Sequence, residues 1–345
     1  MPSYLFATFI GFLVNVILIV PFINFLYHMR MQRAQQKTKD AFQQDTPIFD
    51  RFNKHKAGTP VGGGLLLIGT TVILYSLFLT MFSMFKLPIH TNFPSLAAEI
   101  RILLFTFLGF GLLGVYDDLT KIFFWKKQNF FGISLSSKLL IEILLAGIIS
   151  YWLYADLQIH FVHIPFFGIF DISYFYILFA TFTIVAFSNA INITDGLDGL
   201  ATGVLMIALA SFWIIAASII DVPTALFIGI WLGGLIAFLY FNIPPARLFL
   251  GDAGSLSFGA SFAVVGLILG KSFSLPIIGG VFLIEIVSSL LQLLSKKLRG
   301  RKMFEVAPFH LYLQHKGWEE PKIVMRFWLI SILFSIFGLM LAFLK

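Results

Sequence analysis

Several short stretches of this chain gather residue types that bind or activate phosphates. Gly114-Val115-Tyr116-Asp117-Asp118-Leu119-Thr120-Lys121 sets two adjacent carboxylates upstream of a cation. A carboxylate pair beside an ammonium can bind a metal ion or take a proton from a phosphate. The plainer reading is a solvated helix end with an i,i+4 pair between Asp117 and Lys121. The stretch from Asn189 to Ala201 holds Asn192, Asp195, Gly196, Leu197, Asp198 and Gly199. One Asp-Gly is ordinary turn chemistry, but here it recurs three residues on, with amides alongside. Glycine admits close backbone approach to a ligand, and Asn oxygens and carboxylates suit Mg2+ and the hydroxyls of a sugar nucleotide. Polar groups are costly near a membrane, which favours function over a mere turn.

Asp252 stands between Gly251 and Gly254 in the run Arg247 to Ser255. That run reads as a turn leading into a helix capped by Ser255, a role compatible with metal binding by Asp252; Phe249 offers a stacking face for a base. Lys54-His55-Lys56-Ala57-Gly58-Thr59-Pro60 brings cations and a glycine to the start of an apolar segment, where they could meet phosphates. It is not a Walker A loop, because the lysines precede the glycine. The basic run from Lys296 to Lys302 reads as a topological and anionic-lipid anchor. A single histidine is more often structural than catalytic, so His310 gains weight from context alone. Glu142 and Glu285 fall within apolar segments and should face the bundle interior, with Gln292 on the same helix face as Glu285.

The elements that must position these residues are membrane helices. With 59% hydrophobic and only 12% charged residues among 345, the chain cannot present a water-facing surface throughout. A span takes about 20 residues, so roughly ten spans account for the apolar content. Uninterrupted apolar stretches predict spans near 4–27, 62–85, 98–116, 138–155, 173–192, 200–220, 224–241, 256–270, 275–294 and 326–344. The first has no preceding cation and no small-residue cleavage pattern, and is read as a retained helix. Ten helices put both termini on one side. Sorted by loop parity, twenty of the 24 Lys and Arg fall after odd-numbered helices. By the positive-inside rule those loops are cytoplasmic and both ends face outward. Asp117, Asp118, the Asn192–Asp198 stretch, Asp252 and His310 all fall on the cytoplasmic side. The expectation is an all-α polytopic membrane protein, one integral domain over 1–345, with a cytoplasmic-facing cleft. Without cysteine there are no disulfides, thiolate zinc sites or iron–sulfur clusters. The net charge of +7 lies in a few loops and does not indicate a nucleic-acid partner. Residues 30–50 read as an amphipathic interfacial stretch.

In combination these segments resemble the polyprenyl-phosphate N-acetylhexosamine-1-phosphate transferases, most closely their phospho-N-acetylmuramoyl-pentapeptide transferase branch. The carriers are Lys-Ala-Gly-Thr-Pro at 56–60, Asp117-Asp118, the run 189–201, Phe-Leu-Gly-Asp-Ala-Gly-Ser-Leu at 249–256 and Ala-Pro-Phe-His at 307–310. Lys-Gly-Trp at 316–318 and Arg-Phe-Trp at 326–328 follow at the family's spacing. The resemblance covers almost the whole chain. It implies a Mg2+-dependent enzyme of the bacterial inner membrane that joins a UDP-sugar to undecaprenyl phosphate, making lipid I for peptidoglycan; a homodimer is a state it allows.

By motif position, it implies Asn192 and Asp252 as metal ligands, Asp117 as the group activating the lipid phosphate, and Asp118 and Lys121 as its supporting neighbours. Asp195, Gly196, Leu197, Asp198, Asn242 and Phe249 would form the nucleotide side. Lys54 and Lys138 would be cations near phosphates, Thr59 and Ser255 would bind substrate, and Gln292 and His310 would flank the uridine-sugar end. The resemblance leaves open whether Asp117 acts as base or covalent nucleophile. This chain has His310-Leu311-Tyr312 where the branch carries three consecutive histidines, which bears on the sugar more than on the reaction type. Three rivals follow: a transferase for N-acetylglucosamine 1-phosphate, a transporter using Glu142 and Glu285, and a lipid-carrier binder without catalysis. The transporter predicts functional charge on both sides of the membrane, whereas here it gathers on one.

Overall fold

The computed structural model describes residues 2–32, 47–123 and 133–344. The interfacial stretch expected over 30–50 lies largely outside the described residues. The chain is helical almost throughout. Helix α1 spans Pro2–His28, short α2 Pro47–Asn53, α3 Gly63–Met84, α4 Leu96–Phe123 and α5 Leu135–Ala155. A hairpin follows, with β1 over Phe161–Ile164 and β2 over Gly168–Asp171, Phe161 facing Asp171 in antiparallel register. Then come α6 over Phe175–Thr194, α7 over Leu200–Ser218, α8 over Val222–Asn242 and α9 over Gly251–Ile268. The chain ends with α10 (Ser274–Ile278), α11 (Gly280–Arg299), α12 (Phe309–His315) and α13 (Glu320–Phe343).

Among the described residues nine helices are long and apolar enough to cross a membrane, one fewer than expected. The difference lies in the predicted span 275–294, which is broken at Gly279 into α10 and α11. Glu285 and the terminal Lys296, Lys297 and Arg299 make α11 amphipathic rather than apolar all round. Two contacts on α13 mark where the chain runs here. Lys271 meets the carbonyl of Ala342 at one end, and Glu320 bonds the amide of Asp198 at the other. Together α10 and α11 carry the chain from the first of these levels to the second.

Helices α8 and α9 form the centre, buried along nearly their whole length. Trp231 of α8 packs among Phe107, Phe227 and Phe258, ring centroids 5.1–5.9 Å apart. With lipid outside, such helices gain little from burying apolar surface and associate through close packing at small residues. Gly64 of α3 and Gly254 of α9 show this: a Cβ on Gly64 would lie 2.2 Å from the Gly254 backbone. Gly114 of α4 lies equally close to the Asp252 carbonyl. These contacts bring α3, α4 and α9 together where the polar residues gather.

Candidate active site

Helix α4 does not stop at Tyr116, as the apolar pattern suggests, but continues through the carboxylate pair to Phe123. Successive helical residues point about 100° apart, so Asp117 and Asp118 face different partners. Asp117 Oδ2 receives Lys121 Nζ at 2.9 Å and Lys138 Nζ at 3.0 Å, and its Oδ1 accepts the Ile133 amide at 3.0 Å. Both lysines also reach Asp252 Oδ2: Lys121 in direct contact, Lys138 at 3.4 Å. Lys138 is held by the start of α5, where Ser134 caps the helix by accepting the Ser137 amide. Two carboxylates and two ammoniums thus form a compact quartet, with Asp117 only 2% exposed.

Asp118 turns toward α9 and accepts the Ala253 amide at 3.1 Å. Gly251 begins α9 at φ +79, and a Cβ there would come within 2.6 Å of Asp118 Oδ2. Only glycine suits both the backbone and the space. Asp252 therefore sits in the first turn of α9, where the helix dipole favours negative charge. The helix begins four residues before Ser255, so Ser255 is not its cap; buried within α9, it accepts Asn192 Nδ2 at 2.7 Å. The same amide lies 3.1 Å from Asp252 Oδ1, and the Asn192 amide oxygen takes no hydrogen bond among the described residues.

The loop between α6 and α7 is tied down from several directions. Asp198 binds Lys56 Nζ at 2.8 Å and accepts the Ala246 amide at 2.9 Å. Glu320 reaches Lys56 at 2.6 Å and accepts the Asp198 amide at 2.7 Å. Asn242 accepts from the Gly199 amide and the Thr202 hydroxyl while donating to the Leu248 carbonyl, so its side chain clamps two loops. Asp195 opens this loop half-buried, and desolvation, followed by the charges of Asp252, Asp118 and Asp198, holds its carboxyl well above the usual aspartate range.

His310 is buried, with its amide 3.1 Å and its Nδ1 2.9 Å from the two oxygens of Glu285. Its Nε2 points at Gly196, where a Cβ would meet it at 2.5 Å. Gln292, one face along α11 from Glu285 as expected, accepts the amides of Met303 and Phe304 and donates to the Phe304 carbonyl. Its polar atoms hold the loop in place. Lys54 is exposed on a 3-10 turn, whereas Lys56 is the lysine drawn into the ion network. Phe249 is bridged by backbone bonds to Pro60, Gly62 and Gly63, which places Thr59 next to the same edge. The Leu197 side chain belongs to the apolar core.

Residues 100–270 match the model of glycosyl transferase family 4. A phospho-N-acetylmuramoyl-pentapeptide-transferase of Rickettsia prowazekii (strain Madrid E) is 35% identical, covering 95% of this chain and 91% of the relative. One from Caldanaerobacter subterraneus subsp. tengcongensis is 36% identical, with 95% of each covered. One from Clostridium perfringens (strain 13 / Type A) is 36% identical over 96% of both. The chain belongs to the phospho-N-acetylmuramoyl-pentapeptide-transferase family. The motifs through which it resembles that family, at 56–60, 117–118, 189–201, 249–256 and 307–310, are the segments that the fold draws to one end of the bundle.

Glu142, Glu285 and Glu320 are partners within this site that lie outside the motifs. Glu142 binds the Asn189 amide, and both it and Glu285 are fully buried, as their apolar settings suggested. Lys56 stands inside a motif, but its role depends on Glu320, 264 residues away. No local signal could disclose that pairing.

Proposed function

We propose that this protein transfers phospho-N-acetylmuramoyl-pentapeptide from its UDP-linked donor to undecaprenyl phosphate, giving lipid I and UMP. The observation that carries the reading is the quartet of Asp117, Lys121, Lys138 and Asp252 in a chain of this family. A phosphate oxygen of the lipid carrier attacks the sugar-bearing phosphorus of the donor, and the bond from that phosphorus to the UMP oxygen breaks. Several negative charges meet in that step, so positioned cations dominate catalysis. Lys121 and Lys138 are the cations at hand. Asp117 receives the remaining proton of the lipid phosphate, whose pKa is about 6 as in phosphoserine. The Asn192–Asp198 loop and Phe249 hold the nucleotide side, with Asn242 clamping the adjoining loops.

Mg2+ fits the donor chemistry. Asp252 and the unbonded Asn192 amide oxygen are hard oxygen ligands, and among the described residues no set of three His, Cys, Asp or Glu forms a complete protein cage. Mg2+ commonly takes one or two carboxylates and completes its shell with phosphates and water. When bound, the ion would supply charge neutralisation at the pyrophosphate.

The sorting of Lys and Arg supports a site at the cytoplasmic face with both termini outside, and the family reading supports the inner membrane. The 1–345 chain acts as one integral domain, with undecaprenyl phosphate entering from the surrounding lipid. The test is UMP release by detergent-purified protein with Mg2+ and undecaprenyl phosphate. UMP from UDP-MurNAc-pentapeptide and none from UDP-GlcNAc is the expected result; release from UDP-GlcNAc alone would move the protein to the rival transferase branch.

A further inference from the structure

We infer that Glu285 is a positioning residue that fixes the tautomer of His310 and aims its Nε2 into the cleft at Gly196. Glu285 is fully buried on α11 and spends both oxygens on one residue: Oε1 accepts the His310 amide at 3.1 Å and Oε2 faces Nδ1 at 2.9 Å. A carboxylate can only accept, so Nδ1 carries a proton and Nε2 is the nitrogen left for a ligand. The contact is fixed in direction as well as in protonation, because the amide bond anchors the start of α12 to the same carboxylate. On the other side of the ring, Gly196 leaves room for Nε2; any Cβ there would lie 2.5 Å from it.

The neighbouring residues cannot replace this imidazole. Leu311 is buried and apolar. Tyr312 stacks against Phe309, with the Lys316 ammonium 5.3 Å from its ring centre. In this chain one imidazole serves the donor, and Glu285 alone among the described residues pairs with its ring.

The inference rests on the cleft being the nucleotide-sugar site, and the experiment separates the two. Glu285→Gln has a nearly identical shape but only one acceptor. If its oxygen keeps the His310 amide, its NH2 faces Nδ1 and selects the opposite tautomer, with the proton on Nε2. We expect kcat/KM for the nucleotide-sugar to fall about 10- to 100-fold, the fold-change that corresponds to losing one hydrogen bond to a charged group. The KM for undecaprenyl phosphate should change less than about 2-fold, because that substrate does not meet the ring. Glu285→Asp retains two acceptors and should keep at least about 5-fold more activity than Glu285→Gln. In a His310→Asn background, where no tautomer exists, Glu285→Gln should cost less than about 2-fold more.

Equal losses in the Gln and Asp variants, or a Glu285→Gln loss that multiplies with His310→Asn, would overturn the positioning role. So would a Glu285→Gln enzyme with wild-type kcat/KM. No UMP from the wild-type protein with any MurNAc donor would instead defeat the functional reading on which the inference rests.

Discussion

Gly114 lies so close to the Asp252 carbonyl that a Cβ added at 114 would stand 2.2 Å from its oxygen. One helical turn on, Asp117 shares its two lysines with the Asp252 side chain. The missing side chain at 114 therefore sets the spacing of the two carboxylates. Gly114→Ala must push α4 away from α9. Overpacking of this kind costs about 1–3 kcal/mol, and a displacement of about 1 Å at reacting groups can cost about 100-fold in rate. We expect UMP release to fall by about that factor while the protein still elutes folded from detergent size-exclusion chromatography. Wild-type turnover by Gly114→Ala would show that this contact does not set the site.

Asp252→Ala removes the carboxylate that joins Lys121, Lys138 and Asn192. Loss of one preorganised electrostatic group typically costs about 100- to 1000-fold. UMP release should fall at least that far and lose its dependence on Mg2+ in a titration. Retained Mg2+-dependent activity would remove Asp252 as a metal ligand.

The network of Lys56, Asp198 and Glu320 predicts an order of stabilities. Lys56 is 7% and Asp198 6% exposed, so Lys56→Met leaves buried negative charge without its cation. Removing one partner of such a pair costs about 3 kcal/mol or more. Glu320→Gln can still accept the Asp198 amide and should cost only about 1 kcal/mol. Thermal melting in detergent should rank wild type above Glu320→Gln and Glu320→Gln well above Lys56→Met. The reverse order would show that the lysine contributes nothing to folding.

Asp195 gives a pH prediction. Its folded-state carboxyl holds its proton to higher pH than an unfolded aspartate, whose pKa is about 3.9. Below that value both states are protonated and the site costs nothing. As pH rises from there through the folded-state pKa the unfolded chain ionises first, so the folded state loses stability. Asp195→Asn should therefore melt higher than wild type at neutral pH, and the gain should vanish below about pH 4. Its UMP release should fall, since a group kept at a cost to stability marks function. A melting difference independent of pH would refute this account of Asp195.

Much of this was readable from residue order. The apolar segments set nearly every helix, because a membrane-crossing segment must satisfy its backbone internally and carries a long uniform signal. Asp117, Lys121, Asn192 and Asp252 stand in the motifs and Lys138 is implied by the family resemblance, and the fold brings all five together. What could not be read depends on three-dimensional pairing. Asn242 and Gln292 were expected at the ligand, yet their polar atoms hold backbone groups of adjoining loops. Type and spacing cannot distinguish an amide aimed at a substrate from one aimed at a loop. The helix break at Gly279 had a local signal, Pro276 followed by the Gly279-Gly280 pair, but these residues lie inside a continuous apolar run over 275–284 that reads as one span. The charged end of α11 adds the hint that the second half has a wet face.

The quartet at the centre of the site is electrically balanced before any substrate arrives. Each ammonium already has a carboxylate, so an incoming phosphate must win Lys121 or Lys138 away from Asp117 or Asp252. Binding then resembles ion exchange on a resin more than capture by an open charge. Such a site can wait without an isolated charge to solvate, and it discriminates by trade. A stray inorganic phosphate can offer one replacement partner, whereas a pyrophosphate donor and a lipid phosphate arriving together can replace both.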